Sequence, residues 1–192
     1  KNRLLVGVDA EAIQFRLFAH MIDDPSLTNA ILTGKKADKT DPHSLNQVVF
    51  GSMCKTRNAA KHSMFALFFG GRASKISEIM KCSKAEAEEA IQNLLKKYPG
   101  LNHLEKKVFP ADARRGYFIG IDGRHVPIPG DTEGERKHKC MSGYLQNGEK
   151  IIMARAAIIV DDLLAEEKAL GTWMFIALVH DALDSEVKNS LD

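Results

Sequence analysis

The chain has 192 residues, 44% of them hydrophobic, and a formal net charge of +2. This length suffices for a buried core in one domain or two small subdomains. So slight a net charge does not by itself indicate nucleic-acid binding. The three cysteines are scattered and lack CxxC spacing, which argues against a disulfide framework or a zinc site. Because no signal peptide or long apolar span is visible, we expect a cytoplasmic protein with no membrane segment.

The N-terminal part predicts a strand followed by a helix. Residues 3–8 form a short apolar run that is typical of a buried strand, and Asp9 ends it. Residues 11–22 carry apolar side chains at helical spacing, so we expect a helix to follow directly.

The middle of the chain, residues 28–108, is expected to be mostly helical. Within it, a stretch rich in Gly, Pro and polar residues over 34–42 predicts a turn-rich loop. Further on, the Ser-Lys-Ala-Glu sequence at 83–86 has the pattern of a capping box and should begin a helix. The Tyr-Pro-Gly sequence at 98–100 should end that helix.

One segment of this region carries a distinctive side chain at every fourth position: Arg57, Lys61, Phe65 and Phe69. On a helix these residues form one stripe about 18 Å long, at roughly 1.5 Å per residue. Two cations come first and two aromatic rings follow. This order suits a nucleoside triphosphate whose phosphates meet the cations and whose sugar and base lie over the rings. The spacing alone also fits an ordinary amphipathic helix with a basic first turn.

The last part of the chain predicts a hairpin, a helix and a strand. Residues 116–128 have the pattern of a β-hairpin with its turn at Asp122-Gly123. A helix is expected from about residue 139 to 169, and a strand from Trp173 to Val179.

Each of the two apolar strands is followed by an acid, Asp9 after the first and Asp181 after the last. If the strands are neighbours in one sheet, the two carboxylates meet at its edge. There they can hold two Mg²⁺ ions about 3.5–4 Å apart, the arrangement used for in-line phosphoryl displacement. Taken singly, either aspartate also fits a strand that ends in solvent.

Three segments, in this order, resemble motifs of family A DNA polymerases, the group of bacterial DNA polymerase I and many phage replicases. Residues 7–20, which begin Gly-Val-Asp-Ala-Glu, resemble the first palm motif. The Arg-x3-Lys-x3-Phe-x3-Phe-Gly pattern at 57–70 resembles the fingers helix, and Leu-Val-His-Asp at 178–181 resembles the third palm motif. Smaller matches lie between them, at His43, residues 98–101 and residues 121–124.

This resemblance spans nearly the whole chain and implies an α+β fold. The expected architecture is a right-hand polymerase palm, with a small antiparallel sheet and helices, joined to a mostly helical fingers subdomain. Residues 1–27 and 109–192 would form the palm, and residues 28–108 the fingers.

The same resemblance implies template-directed DNA synthesis, in which a nucleotide passes from a dNTP to a primer 3′-hydroxyl by a mechanism with two Mg²⁺ ions. The carboxylates of Asp9 and Asp181 and the backbone carbonyl of Ala10 would hold the metals. Lys61 would also protonate the departing pyrophosphate as a general acid. The residues implied in nucleotide binding are Arg57, Lys61, His43, Phe65, Phe69 and Gln14, and those implied in DNA binding are Gly70, Arg124, Gln146 and His180.

The chain departs from the family pattern at four positions. It has Gln14 and Phe69 where the family usually has a Glu and a Tyr that contact one another, so both partners have changed together and no buried charge is left orphaned. Ala182 removes a carboxylate beside the metals, and Ser142 stands where the family usually has Asn.

The chain begins just before the first motif and stops soon after the third, so the family's thumb and exonuclease-like domains are absent from it. We therefore expect a fragment or a split polymerase that works with a second polypeptide on primer-template DNA and dNTPs, in the host cytoplasm if it is phage-encoded. Two alternatives stay open. A single-subunit RNA polymerase relative shares the Arg-x3-Lys helix and the His-Asp motif, and a non-catalytic polymerase-like scaffold that binds DNA would account for Ala182.

Overall fold

The structure is a computed structural model that describes residues 3–189. Its elements in chain order are β1 (Arg3–Asp9), α1 (Ile13–Ile22), α2 (Pro25–Thr33), α3 (Pro42–Phe50), α4 (Arg57–Phe68), α5 (Ala73–Met80), α6 (Lys84–Lys97), α7 (Pro99–His103), a π-helical turn (Leu104–Val108), α8 (Phe109–Arg115), β2 (Tyr117–Ile119), β3 (His125–Pro127), α9 (Glu133–Leu163), α10 (Ala165–Ala169), β4 (Trp173–Val179) and β5 (Ala182–Lys188). The fold class is therefore α+β, as predicted.

Contacts between residues divide the chain into two compact units. One unit comprises the segment up to Gln14 and the segment from Gln146 onward, and the other comprises residues 15–145. Helices α1 and α9 each contribute residues to both units. The predicted boundaries between palm and fingers, at residues 28 and 108, stay a prediction.

The first unit contains a three-stranded antiparallel sheet in the order β1-β5-β4. Strand β4 matches the predicted strand, but β5 is an element that the sequence did not predict, and it lies between the two predicted strands. The two predicted strands are therefore not neighbours, which was the condition under which Asp9 and Asp181 were expected to meet. Strands β4 and β5 are joined by a tight turn at His180 and Asp181, and Val179 pairs with Ala182.

Strand β1 begins and ends as predicted, but the expectation that it is buried is wrong. All seven of its residues are exposed, including Leu5 at 72% and Val8 at 61% of their surface. The physical reason is its position, since β1 is the outer strand of the described sheet and pairs only with β5. A continuous apolar run indicates strand conformation, whereas burial depends on which elements cover the strand.

The second unit is mostly helical, as predicted for the middle of the chain, and it has an aromatic core. The ring of Phe68 on α4 lies 5.0 Å from the ring of Phe15 and 4.8 Å from that of Phe18, both on α1. Tyr98, at the end of α6, is fully buried and donates its hydroxyl hydrogen to Asn46 on α3 at 2.8 Å. These contacts join α4 to α1 and the end of α6 to α3.

Several local predictions for this unit are confirmed. Ser83 and Glu86 form a complete capping box at the start of α6, and that helix ends at Lys97, directly before Tyr98. Strands β2 and β3 form the predicted hairpin, with Asp122-Gly123 in its turn. No helix within residues 3–189 is long and apolar enough to cross a membrane.

Helix α9 differs from the prediction at both ends. It begins at Glu133, about six residues before the expected start, and it stops at Leu163, with a separate short helix α10 after Leu164. The early start of α9 is explained by two hydrogen bonds between polar side chains and backbone amides. Thr132 accepts a hydrogen bond from the amide of Glu135, and the carboxylate of Glu135 accepts one from the amide of Asp131. Such capping bonds stabilise a helix start that carries no apolar periodicity.

The π-helical turn lies inside a run of helix that extends from α7 into α8. Its residues widen the helix, with Leu104 buried while Lys106 and Lys107 face solvent. Turns of this type interrupt an otherwise regular α-helix.

The capping box generates a stability prediction. Replacing Ser83 by Ala removes the hydroxyl that accepts from the amide of Glu86, so we expect the free energy of unfolding to fall by about 1 kcal/mol. Chemical denaturation measures the change. The matched control is Ser74→Ala on α5, an exposed serine, and an equal loss in both variants would contradict the capping role.

Candidate active site

The end of the sheet in the first unit brings the two predicted metal-binding acids together. Asp9 is the last residue of β1 and pairs with Ala182 on β5, and Asp181 directly precedes Ala182. The backbone amide of Ala10 donates a hydrogen bond of 2.8 Å to the carbonyl of Asp181. Opposed residues in an antiparallel pair have Cα atoms about 4.5–5.5 Å apart, so Asp9 lies about this far from Ala182. Asp181 is the next residue of the chain and is therefore also near Asp9.

The backbone around these acids is unusual. His180 in the β4–β5 turn has φ +54°, and Ala12 after the first motif also has φ +54°. Left-handed conformations of residues other than Gly are uncommon and often occur at functional sites. His180 is exposed, and Asp181 beside it is half-buried.

The donors at this strand end fit Mg²⁺. Neither Asp9 nor Asp181 belongs to an ion pair within residues 3–189, so both carboxylates are free to meet a cation. The carbonyl of Ala10 accepts a long bond of 3.4 Å from the amide of Ile13. All these donors are hard oxygens, which Mg²⁺ prefers. In the described part of the chain no group of three or more metal-ligating side chains exists, so water and phosphate oxygens would complete the coordination.

A third carboxylate lies on the same face of the sheet. Asp184 stands two residues beyond Ala182 on β5 and pairs with Gly7 on β1. A Cβ atom on Gly7 would lie only 3.0 Å from Asp184 Oδ1, so the glycine leaves room for this side chain. Sequence reasoning missed Asp184 because β5 itself was not predicted.

Gln14, also in the first unit, has a partner that the sequence did not indicate. Its Nε2 donates a hydrogen bond of 2.8 Å to Glu149 Oε2 on α9. Glu149 is buried, with 6% of its surface exposed. Gln146, one turn earlier on α9, is exposed, which is compatible with its predicted role in DNA binding.

The predicted cationic and aromatic stripe lies on α4 in the second unit. Arg57 is the first residue of that helix, Thr56 caps it, and Lys61 and Phe65 follow at successive turns. Phe69 lies one residue beyond the helix end and is 52% exposed. The helix itself is thus confirmed, and its last predicted residue serves as the C-cap.

Arg57 is held by an acid that sequence reasoning missed. Its guanidinium donates to both carboxylate oxygens of Asp41, from Nη2 at 2.7 Å and from Nε at 3.0 and 3.2 Å. Asp41 is 5% exposed, and it also accepts from Ser44 Oγ at 2.6 Å and from the amide of His43 at 3.1 Å. Burial raises the pKa of Asp41, but the hydrogen bonds from Arg57, Ser44 and His43 outweigh it and lower this pKa to about 2.

His43, the predicted phosphate ligand, lies in the first turn of α3 beside these charges. Burial and the nearby positive charges of Arg57 and Lys61 lower the pKa of His43 to about 4, although Asp41 opposes the shift. Its ring meets the edge of Phe15 at 4.9 Å, and its buried Nδ1 has no hydrogen-bond partner among the described residues. A neutral imidazole next to two cations can bind an anion by donating a ring N–H to it.

The far end of α4 is shaped by close packing. Phe65 is half-buried and meets Phe15 edge-on at 5.5 Å. Gly70 has φ +83°, and a Cβ atom there would lie 2.8 Å from the carbonyl of His138 on α9. Glycine is therefore required at this position by backbone packing.

Arg124 lies on the second unit, exposed in the β2–β3 turn, where its guanidinium pairs with Asp122. The neighbouring His125 stacks on Tyr117 with ring centroids 4.4 Å apart. An exposed guanidinium beside stacked rings is compatible with the predicted contact to a DNA backbone.

The predicted site residues thus fall into two groups. The acids, with Ala10, Gln14, Gln146 and His180, belong to the first unit, and the other predicted residues belong to the second. The family model for DNA polymerase family A matches residues 1–191. The chain belongs to DNA polymerase family A.

Curated relatives of this family resemble the chain at low identity. The DNA polymerase of Mycobacterium phage L5 is 24% identical over 155 residues, which cover 81% of this chain and 24% of the phage protein. DNA polymerase I of Pseudomonas aeruginosa is 25% identical over 198 residues, covering 97% of this chain and 21% of that protein. The chain therefore spans about a fifth to a quarter of the length of the curated relatives it matches.

A solved structure shares the fold. The POL domain of Pol1 from M. smegmatis, in complex with DNA primer-template and dNTP, matches with a TM-score of 0.77 at 21% identity. The match covers 97% of this chain and 34% of the solved chain. The predicted palm-and-fingers polymerase fold is confirmed.

The Asp41–Arg57 pair generates a prediction about pH. Because the folded-state pKa of Asp41 lies near 2, below its ordinary value of 3.8, the pair stabilises the fold above about pH 4 and loses this effect as pH falls towards 2. Asp41→Asn keeps a helix-capping side chain but removes the charge, so we expect a loss of about 1–3 kcal/mol in unfolding free energy at neutral pH.

Denaturation of wild type and variant across this pH range measures the effect. The difference between the two proteins should shrink as pH falls from about 4 to 2. The control is Asp38→Asn in the exposed loop before α3, which should change little. A constant difference at every pH would contradict the ionic origin.

Proposed function

We propose that the chain is the palm and fingers part of a DNA polymerase that transfers a nucleotide from a dNTP to a primer 3′-hydroxyl under the direction of a template. The observation that carries the proposal is the pairing at the sheet end. The register Asp9–Ala182 and the bond from Ala10 to Asp181 make neighbours of two acids that are far apart in the sequence. Membership in DNA polymerase family A supports the same reaction.

The residues that would hold two Mg²⁺ ions are Asp9, Asp181 and the carbonyl of Ala10. When bound, such ions lower the pKa of the primer hydroxyl and neutralise charge on the leaving pyrophosphate. The protein contributes the two negative charges and a backbone oxygen at the end of a rigid sheet. Phosphoryl transfer needs mainly positioning and charge neutralisation, which metal ions held by these oxygens, together with the cations Arg57 and Lys61, would supply.

The triphosphate would be bound by Arg57, Lys61 and His43. In the free protein Arg57 is held by Asp41, so a phosphate has to share or displace that carboxylate. Lys61 is exposed and forms no ion pair within the described residues, which leaves it free to reach a phosphate and then to give a proton to the pyrophosphate. His43 would donate a ring N–H to the same phosphate group.

The sugar and base would lie further along the stripe. Phe65 would pack against the deoxyribose, Phe69 and Gly70 would shape the pocket for the new base pair, and Gln14 would stand next to the sugar 2′ carbon. Closure of α4 on the correct nucleotide would bring these side chains together. Contacts to DNA would come from Gly70, Arg124, Gln146 and His180.

The partners would be primer-template DNA, dNTPs and a second polypeptide or further segment that supplies thumb and exonuclease-like domains. Two observations support the last of these. The matched relatives are four to five times longer than the aligned region, and the apolar strand β1 is exposed along its whole length. Exposed apolar strands at a sheet edge are normally covered in a working protein.

Neither alternative function is favoured by the comparisons, which match DNA polymerases. Ala182 remains the one observation on the side of a non-catalytic scaffold, because a family carboxylate is missing there. Comparing the incorporation of a deoxynucleotide with that of its ribonucleotide separates DNA synthesis from RNA synthesis.

The acids generate a catalytic prediction. Asp9→Asn removes one of two charges that would hold the metals, so primer extension should fall by about a hundredfold or more, the scale of losing one preorganised charge-stabilising group. The assay uses the protein together with every polypeptide that copurifies with it. Asp162→Asn, at an exposed aspartate of α9, is the matched control. Unchanged extension in Asp9→Asn, with an unchanged thermal midpoint, would favour the scaffold.

The stripe generates a binding prediction. Lys61→Ala removes a charge-assisted contact to phosphate, so the KM for dNTP should rise about tenfold or more. Lys97→Ala on α6 removes an equally exposed charge of the same type and should leave KM unchanged. Steady-state kinetics on a primed template measures both. Equal effects of the two substitutions would show that only overall charge matters.

A further inference from the structure

The hydrogen bond between Gln14 and Glu149 is unusual because a buried acid faces a neutral amide. Gln14 Nε2 lies 2.8 Å from Glu149 Oε2, and the two residues are 135 positions apart in the chain. Within the described residues no ion pair includes Glu149, although only 6% of its surface is exposed. Burying a carboxylate costs free energy unless it is hydrogen-bonded, and among the described residues Glu149 receives its side-chain hydrogen bond from the neutral amide of Gln14.

The chemistry of the two groups fixes the orientation of Gln14. A carboxylate only accepts hydrogen bonds, so the amide has to turn its NH₂ towards Glu149 and its carbonyl oxygen away. Without Glu149 the same side chain would sample several rotamers. Glu149 therefore converts a flexible side chain into a fixed one.

The pair stands beside the acid end of the sheet. Glu149 and Met153 are four residues apart on α9 and share a face of the helix. Met153 lines one cavity together with Asp9 and Ala10, and all of these residues belong to the first unit. Gln14 thus belongs to the same compact unit as the proposed metal-binding acids.

Positions 14 and 149 are so close that only one of the two side chains can carry a negative charge. A glutamate at position 14 would place two carboxylates about as close as the present hydrogen bond, and like charges at that separation cannot both stay ionised. The acid at 149 therefore requires a neutral residue at 14. This accounts for the departure at Gln14 from the pattern that the family motif implies.

We propose that Glu149 is a positioning residue that holds Gln14 in place beside the sugar of the incoming nucleotide and thereby sets the discrimination between deoxyribose and ribose. The inference rests on the proposed polymerase function. A fixed side chain excludes a 2′-hydroxyl, whereas a free one swings aside and admits it.

The experiment measures kcat/KM for dATP and for ATP on a primed template, in the protein with its copurifying polypeptides. In Glu149→Ala the ratio of ribonucleotide to deoxynucleotide incorporation should rise about tenfold, which corresponds to about 1.4 kcal/mol of lost discrimination. In Glu149→Gln the side chain keeps its volume and an acceptor oxygen, so the ratio should change far less. Glu89→Gln, at an exposed position of α6, is the control for losing one carboxylate.

A charge exchange gives the sharper test. Gln14→Glu alone should raise the ribonucleotide ratio and lower the thermal midpoint because two carboxylates then meet. The double variant Gln14→Glu with Glu149→Gln reverses the pair and should restore both quantities. Restoration of the sugar ratio separates a positioning role from a merely structural one, since folding alone would move only the midpoint.

Two results would overturn the inference, and they differ. If wild-type protein incorporates no nucleotide of either kind, the proposed function fails and the inference falls with it. If the wild type is active and the sugar ratio stays the same in Glu149→Ala and in Gln14→Glu, the function stands and the role of Glu149 is wrong.

Discussion

The register of β1 against β5 is the constraint on which the candidate site depends. Asp9 lies beside Asp181 only because Asp9 pairs with Ala182. A slip of one residue would turn Asp9 to the opposite face of the sheet. That slip is opposed by the apolar groove between the sheet and α9, where Val6 and Leu183 lie, because it would turn Val6 and Val8 of β1 away from the apolar lining. Apolar packing along β1 thus supports the register that brings the two acids together.

The second unit contains an ion pair that orients a cation, the guanidinium of Arg57. Asp41 holds the guanidinium of Arg57 in one orientation while it also caps α3. An arginine side chain without such a partner would lose rotamer entropy when it binds an anion. Arg57 has already lost this entropy in the folded state, because Asp41 holds it. The same pair would compete with a phosphate that bound to Arg57, because the phosphate would have to replace a bidentate carboxylate. Because the pKa of His43 is lowered to about 4, its imidazole is neutral at neutral pH and adds no third positive charge beside Arg57 and Lys61.

Features set by neighbouring residues could be predicted from the sequence, and features set by distant ones could not. The α4 stripe and the Ser83–Glu86 capping box follow from local spacing, and both are present. Strand β5 was missed because its residues, Ala-Leu-Asp-Ser-Glu-Val-Lys, are too polar to read as a strand without its partners. Asp41 and Glu149 were missed for the same reason, since their importance lies in partners 16 and 135 positions away.

The π-helical turn at Leu104–Val108 affects how this sequence should be aligned with others of its family. A π turn holds one residue more than the regular helix it interrupts, so the side chains after it are rotated relative to those before it. Deleting one residue there would leave a regular helix of the same length in space. A one-residue gap at this point in a pairwise alignment therefore has a structural meaning. Moving the gap elsewhere would align Phe109, which is fully buried in this chain, with the wrong residue of the other sequence.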